Sequence, residues 1–429
     1  MKKVAFHTLG CKLNFAETSS IAREFMDNGF ERVDFNDVAD VYVINTCSVT
    51  KKADKKSEQA IKKARKENPD AQIVVMGCYA QLQSEKIASI DGVDLVLGTN
   101  EKFNVLHHLK AHHKADGPEV HSCNLDNGVD YHPSFSYGDR TRSFLKIQDG
   151  CDYHCSYCTI PLARGKSRNQ SIGSILSEAR KIGQTDVKEL ILTGVNIGDF
   201  GKTTGERFID LLQEVDKTEG IERIRISSVE PNLLTNEIIQ FVKDSATFLP
   251  HFHIPLQSGC NHILGKMRRR YNRELFAERV EFIRNTLPDA FIGVDVIVGF
   301  PGEDESRFLD TYAFLEKMNA SFYHVFSYSE RPNTLAAGME GKIPGNIIAQ
   351  RSKMLQSLAE KKQKAFYRQN LGSSRPVLFE SQQKEDRIFG FTDNYIKIEM
   401  PYEKELAESI ARVRLDSLNE NHHVEGTIV

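Results

Sequence analysis

Residues 143–158 read SFLKIQDGCDYHCSYC. A strand-like run ends at Ile147, a polar turn follows, and cysteines arrive at 151, 155 and 158. The spacing is C-x3-C-x2-C. Three thiolates this close hold three irons of a [4Fe–4S] cube on one loop. The fourth iron then lacks a protein ligand, and an open metal position is where a cofactor binds. The competing reading is zinc, with His154 as fourth ligand, although zinc sites favour paired C-x2-C spacings. The loop heads an alternating strand–helix series, which favours the cluster.

That series defines a central domain over residues 139–370. Strand-like runs fall at Phe144–Ile147, Leu190–Thr193, Arg223–Ser227, Phe252–Pro255, Ile292–Val298 and Phe322–Phe326. Helical stretches separate them. Six βα units predict a partial (β/α)6 barrel, related to the eight-unit barrel but open. Upstream, residues 1–112 alternate in the same way, with apolar runs at Val4–Leu9, Val41–Asn45, Ile73–Met76 and Asp94–Leu97. They predict a parallel α/β sandwich. Residues 113–138 are polar, rich in turn formers, and read as a linker. Downstream of a long helix over 348–370, short strand-like runs fill residues 371–429 and predict a small β-barrel. The fold class is therefore α/β with a small all-β tail.

The net charge of −3 and pI near 6.6 announce no nucleic-acid partner, so any such partner must meet local basic patches. No apolar run is long enough to span a bilayer, and the opening MKKVAFHTLG carries no signal-peptide pattern. A cytoplasmic location follows. Thiols stay reduced there, so the eight cysteines read better as metal ligands than as disulfides.

Cys11, Cys47 and Cys78 each follow directly after one of the first three strand-like runs, in FHTLGC, VINTC and VVMGC. Carboxyl ends of parallel strands share one edge, where ligands bind. Each cysteine alone reads as a small buried apolar residue. All three at equivalent strand ends predict a second cluster. Cys123 and Cys260 lie outside both sets and read as ordinary thiols.

The C-x3-C-x2-C loop, with Tyr157 before its last cysteine, resembles the radical S-adenosylmethionine (SAM) superfamily. TLGCKLN, NTCSVT and MGCYAQ resemble the amino-terminal domain of the methylthiotransferases within it. CSYCTIPLARGKSRN, HIPLQSG, MRRRYNRE and GVDVIVGFPGE resemble their barrel, and the tail resembles their small TRAM-like β-barrel. The resemblance covers nearly the whole chain. It implies two [4Fe–4S] clusters, one on Cys151, Cys155 and Cys158, the other on Cys11, Cys47 and Cys78. The open iron of the first would chelate SAM.

Strand-end runs supply candidate SAM contacts: Gly194 and Asn196 in LTGVN, Ser228 and Glu230 in SSVEP, Gln257 in PLQSG, and Val298 and Phe300 in VGFPGE. Gly194 would let backbone approach the ligand closely. The resemblance suggests Glu230 for the ribose, Gln257 and Arg270 for the methionine end, Val298–Phe300 for adenine, and Tyr157 beside the cluster.

KMRRRYNRE at 266–274 concentrates positive charge around an aromatic. Phosphate contacts dominate nucleic-acid affinity, and an aromatic among cations stacks a splayed base. Arg268, Arg269 and Tyr271 are thus expected to touch RNA. The lysine-rich stretch 51–66 reads as a solvated face.

The resemblance implies that one SAM methylates a sulfur of the amino-terminal cluster, while another yields a radical that opens an inert C–H bond. It looks most like the bacterial branch acting on threonylcarbamoyladenosine in tRNA. The expected partners are tRNA, SAM and an electron donor such as flavodoxin or ferredoxin, with a monomeric chain and no membrane. Competing readings are methylthiolation of isopentenyladenosine in tRNA or of a ribosomal-protein aspartate. A different class is a non-catalytic two-cluster electron carrier.

Overall fold

A computed structural model describes residues 1–429 except 113, 115, 116, 123, 124, 126, 127, 139 and 140, and except the side chain of 382. Cys123 lies outside the described residues. The amino-terminal sheet contains β1 (Lys3–Thr8), β2 (Glu31–Val33), β3 (Val41–Thr46), β4 (Gln72–Gly77), β5 (Leu95–Leu97) and β6 (Glu119–His121). All pair in parallel, in the order β2-β1-β3-β4-β5-β6. Side chains alternate across a strand. Tyr42 and Ile44 of β3 accordingly enter one apolar cluster, and Val41 and Val43 the other. Each face is covered by helices, which explains the near-continuous apolar runs. The sequence reading missed β2 and β6. Both are three-residue edge strands without buried residues, so they carry no apolar signal, and β6 falls inside the expected linker.

The central domain contains β7 (Arg142–Lys146), β8 (Glu189–Thr193), β9 (Arg223–Ile226), β10 (His251–Gln257), β11 (Phe291–Val298) and β12 (Phe322–Ser327). They form two three-stranded parallel sheets, β7-β8-β9 and β10-β11-β12. The sheets meet at a single bridge between Ile224 and Phe248. One apolar cluster runs through both, from Leu145 to Tyr323. The six-unit open barrel is as expected.

In the tail, β13 (Ser374–Lys384), β14 (Arg387–Thr392), β15 (Lys397–Pro401), β16 (Ile410–Leu418) and β17 (Val424–Ile428) close into a barrel ordered 13-14-15-17-16. The helix Gly345–Asn370 spans both domains. Leu355 and Leu358 join the central core, while Phe366 and Tyr367 join the tail core.

Two buried ionic nodes hold the domains together. At the first, Glu17 from the helix Lys12–Asp27 meets Lys102 (2.7 Å), Lys146 (3.1 Å) and Arg164 (3.0 Å). Asp149 meets Lys146 (2.8 Å), Arg164 (2.9 Å) and Arg168 (3.0 Å). At the second, Glu189 takes Arg223 and Arg225 at 2.9 Å each. Arg223 Nη2 donates to the carbonyls of Phe391 and Thr392 in the tail, and Arg225 Nη1 and Nη2 to those of Asp393 and Thr392.

Burial alone would raise the Glu17 carboxyl, but Arg164, Lys102 and Lys146 outweigh it and hold it well below the usual carboxylate range. Asp149 is held down likewise, with Lys146, Arg164 and Arg168 outweighing burial. A carboxyl depressed in the folded state stabilises above its unfolded value, and that contribution is lost as pH falls. Removing one partner of a buried pair strands the others, so Glu17→Gln is expected to cost roughly 3–5 kcal/mol in urea unfolding at pH 7. Thermal scans of wild type are expected to fall steeply below about pH 4, and those of Glu17→Gln less so. Parallel profiles for the two proteins would show that the node contributes nothing to acid sensitivity.

Candidate active site

β1, β3 and β4 are neighbours in the sheet, so Cys11, Cys47 and Cys78 emerge side by side at its carboxyl edge. The chain turns sharply into two of them. Gly10 has φ +102°, and a Cβ there would lie 2.7 Å from Cys47 Cβ. Gly77 has φ +99° and is crowded by Asn45 and Thr46. Only glycine fits these turns. Burial pushes the Cys47 thiol up to about 12, with Cys78 and Cys11 adding to the rise. Cys78 is raised by burial and by Cys11, against the pull of Arg164 and Lys102. The three cysteines thus lie along one edge of the sheet, with the cationic side of the first ionic node beside Cys78.

On the central barrel, Cys151, Cys155 and Cys158 occupy the loop after β7. Cys151 N donates to Gly165 O at 3.0 Å, pinning the loop to the segment that carries Arg164. Burial pushes Cys151 and Cys158 up to about 12. Three N–H groups point at the sulfurs: Tyr153 N to Cys151 (3.4 Å), Ile160 N to Cys158 (3.5 Å) and Arg269 Nη1 to Cys155 (3.1 Å). Such donors suit thiolates of an iron–sulfur cluster and tune its potential.

The spacing of the sulfurs bears on zinc. Among the described residues, one group alone offers three ligand atoms all within 4.8 Å of one another, His253, Asp295 and His324, and neither cysteine set meets that spacing. Tetrahedral zinc with Zn–S near 2.3 Å needs sulfurs about 3.8 Å apart. A four-iron cube holds them wider. His154 is exposed. Three thiols on one loop, each with an N–H donor aimed at its sulfur, are a donor set that suits a [4Fe–4S] cluster.

The expected SAM residues separate into several environments. Glu230 is buried against the Arg269 guanidinium; burial raises its carboxyl, opposed by Arg269. Asn196 donates to Asp199 Oδ2 at 2.9 Å and leaves its own Oδ1 buried without a partner. Ser228 Oγ faces His253 Nδ1 at 2.8 Å. Gln257 sits at a bulge of β10 with φ +71°. Tyr157 lies near Phe300, ring centroids 6.3 Å apart, while Val298 and Phe300 are themselves fully buried. Arg270 lies over the Tyr153 ring at 3.9 Å and donates to Asp152 O.

A Cβ on Gly194 would meet Gln148 O at 2.7 Å and Ile197 Cγ2 at 2.8 Å, so the close packing there requires glycine. Two expectations are corrected. Arg269 turns inward to Glu230 and Cys155 instead of facing RNA. Tyr271 is buried, and its hydroxyl donates to Pro255 O (2.5 Å) and Leu256 O (2.9 Å), so its ring is no surface platform for a base. Of that trio Arg268 alone is exposed. Cys260 is buried beside Ile263 and Met267, an ordinary core thiol.

A cavity of about 250 Å³ opens between Cys158 and the loop that leaves Cys47. Cys158 and Tyr157 line one wall, Val49 and Thr50 of the loop after Cys47 another, and Gln257 and Asp295 contribute from β10 and β11. Tyr328, also in the lining, has a buried hydroxyl without a partner. A larger cavity of about 1040 Å³ lies beside Phe6, Arg32, Phe35 and Lys63, and no cysteine is among its described lining residues. The sequence reading missed Glu17, Lys102, Lys146, Asp149 and Arg164. Their signal was a charged residue within an otherwise buried face.

Comparison with known proteins agrees with this geometry. Residues 3–98 match the uncharacterized protein family UPF0004, and residues 145–315 match the radical SAM superfamily. The chain is 39% identical over 425 residues to the threonylcarbamoyladenosine tRNA methylthiotransferase MtaB of Bacillus subtilis, covering 97% of this chain and 94% of that protein. It is 39% identical to the enzyme of that name from Aquifex aeolicus, covering 95% and 99%. It is 30% identical to the tRNA-2-methylthio-N(6)-dimethylallyladenosine synthase of Acetivibrio thermocellus, covering 100% and 91%. In fold it resembles the radical SAM methyltransferase TsrM of Kitasatospora setae, with a TM-score of 0.58 at 14% identity, over 78% of this chain and 74% of that one. The chain belongs to the radical SAM tRNA methylthiotransferases, enzymes that use SAM and iron–sulfur clusters.

Proposed function

We propose that the enzyme converts N6-threonylcarbamoyladenosine beside the anticodon of tRNA to its 2-methylthio derivative. The cavity walled by Cys158 and by Val49 and Thr50 of the loop leaving Cys47 supports this reading, because a base held there would lie against one cysteine set and beside the loop of the other. The names of the relatives at 39% identity support the choice of base. In this reading Cys151, Cys155 and Cys158 hold the SAM-cleaving [4Fe–4S] cluster, and Cys11, Cys47 and Cys78 hold the auxiliary one. When bound, the clusters and SAM supply the sulfur, the methyl group and the radical chemistry that opens a C–H bond. The protein supplies orientation and exclusion of water. Arg269 fixes Cys155 and Glu230 relative to each other. Gln257, aimed by its bulge, and the unpartnered Asn196 Oδ1 and Tyr328 hydroxyl offer polar contacts that a bound ligand would complete. Tyr157 and Phe300 shield the loop. The enzyme works as a monomer in the cytoplasm, with a flavodoxin- or ferredoxin-class donor. Among the described residues no helix is long and apolar enough to cross a membrane.

Digestion of tRNA from cells lacking the gene tests the substrate. Mass spectrometry is expected to show loss of methylthio-threonylcarbamoyladenosine, restored by wild type but not by Cys47→Ala or Cys151→Ala. Its persistence in the deletion strain would sink the assignment, and loss of the methylthio-isopentenyl nucleoside instead would transfer it to that base.

Arg269 offers an independent check. Its N–H···S bond favours the reduced cluster, so Arg269→Met is expected to make the barrel cluster's midpoint potential more negative in EPR-monitored titration. Reductive SAM cleavage is expected to fall roughly 10–100-fold. An unchanged potential would show that the guanidinium serves Glu230 alone.

A further inference from the structure

A second cavity of about 250 Å³ lies where all three domains meet. Lys12 reaches it from the amino-terminal domain, His253 and His324 from the central barrel, and Phe391 and Lys397 from the tail. It adjoins the cavity beside Cys158, because Asp295 lines that cavity while His253 Nε2, 2.7 Å from Asp295 Oδ1, lines this one.

Its charge is unbalanced. Among the described residues neither Lys12 nor Lys397 has an ion-pair or side-chain hydrogen-bond partner; Lys397 rests over the Phe389 ring at 4.8 Å. Asp295, the nearby carboxylate, is engaged by His253, whose Nδ1 faces Ser228 Oγ at 2.8 Å. His324 packs against His253 and Phe322. Burial, then His253, holds His324 down to about 4, with Lys12 adding to that effect. His251, another lining residue, is held well below its ordinary range by burial first, and its buried Nδ1 has no hydrogen-bond partner. The cavity thus presents two unpaired ammonium groups, neutral imidazoles and an unsatisfied ring nitrogen. Unpaired cations in a partly desolvated cleft call for an anion, and an unpartnered buried polar atom calls for a hydrogen-bonding ligand. A metal ion on His253, Asp295 and His324 would put a second cation opposite Lys12.

Resting on the tRNA reading above, we propose that this cavity binds the carboxylate of an amino-acid substituent on the target base, with Lys12 and Lys397 as its cationic contacts, and so selects an acidic substituent over an apolar one. The base lies in the adjoining cavity, and the substituent passes the His253–Asp295 pair into this one. A phosphate of the RNA backbone would offer similar chemistry and is the source to be told apart.

The test uses cluster-reconstituted enzyme and four anticodon stem-loop RNAs, identical except for the base beside the anticodon: threonylcarbamoyl, its uncharged carboxamide analogue, isopentenyl, or unmodified. Fluorescence anisotropy is expected to show wild type binding the carboxylate RNA about tenfold tighter than the carboxamide, the ratio of one charge-assisted contact. Lys12→Met is expected to abolish that ratio without weakening the carboxamide or unmodified RNA, and Lys12→Arg to keep most of it. Lys397→Met, far in sequence from any cysteine, is expected to reduce the ratio, and it decides the matter if Lys12→Met loses iron. Equal weakening on all four RNAs would mean a phosphate contact and overturn the proposal, as would retention of the ratio in both methionine variants. Wild type that neither prefers nor methylthiolates the threonylcarbamoyl RNA would instead overturn the substrate reading itself.

Discussion

The buried node of Glu17, Asp149, Lys102, Lys146 and Arg164 is the constraint on which the rest depends. Buried ion pairs are poor stabilisers, since apolar residues of similar volume often do as well or better. What this one supplies is position. Glu17 lies on the helix that starts at Lys12, directly after Cys11. Asp149 precedes Cys151 in the same turn, and Arg164 ends the short helix that follows Cys158. One guanidinium therefore grips the segments leaving both cysteine sets: Arg164 reaches Glu17, Asp149 and, at 2.6 Å, Asn14 Oδ1. The separation of the two sets follows from it. Charge matters as well, because three fully buried cations face two carboxylates. Arg164 and Lys102 also act on Cys78. A set of thiolates brought there finds the excess positive charge already in place.

The second node works the same way on the tail. Glu189 neutralises Arg223 and Arg225, leaving Arg223 Nη2 and both Arg225 Nη groups to cap the carbonyls of residues 391–393. The shared helix Gly345–Asn370 adds an apolar tether, since its Phe366 packs edge-on to Phe291 of β11, ring centroids 5.5 Å apart. With both ends fixed, Phe391 and Lys397 become walls of an internal cavity rather than features of a loosely attached module.

The elements that were legible in the sequence share one property: their signal is local. Apolar runs bounded by Gly, Pro or Asn gave β1, β3, β4 and the six barrel strands, and a cysteine directly after a strand stated its own position at a sheet edge. Illegible features depend on contacts distant in sequence. Lys146 looks like a surface residue in SFLKIQ, yet it is buried because Glu17, far away in the chain, meets it. The run MRRRY looked like one basic patch, but Arg269 and Tyr271 have buried partners in Glu230, Cys155 and the β10 bulge, while Arg268 does not.

The size of the site decides how RNA must be read. On the proposed reading, the cavity of about 250 Å³ beside Cys158 takes one base rather than a stacked pair. The target must therefore leave its stack, and the unstacking cost is lowest in a single-stranded loop. With Tyr271 turned inward, no ring from the arginine run compensates that cost at the surface. The compensation has to come from inside, from groups that meet the base after it is splayed out. Gln257 and Tyr328 line that cavity, the first aimed by strained backbone and the second with its hydroxyl left unpaired. Recognition by interior contacts also explains a nearly neutral chain acting on a polyanion: phosphates need only hold the loop at the mouth, and discrimination falls to the cavity.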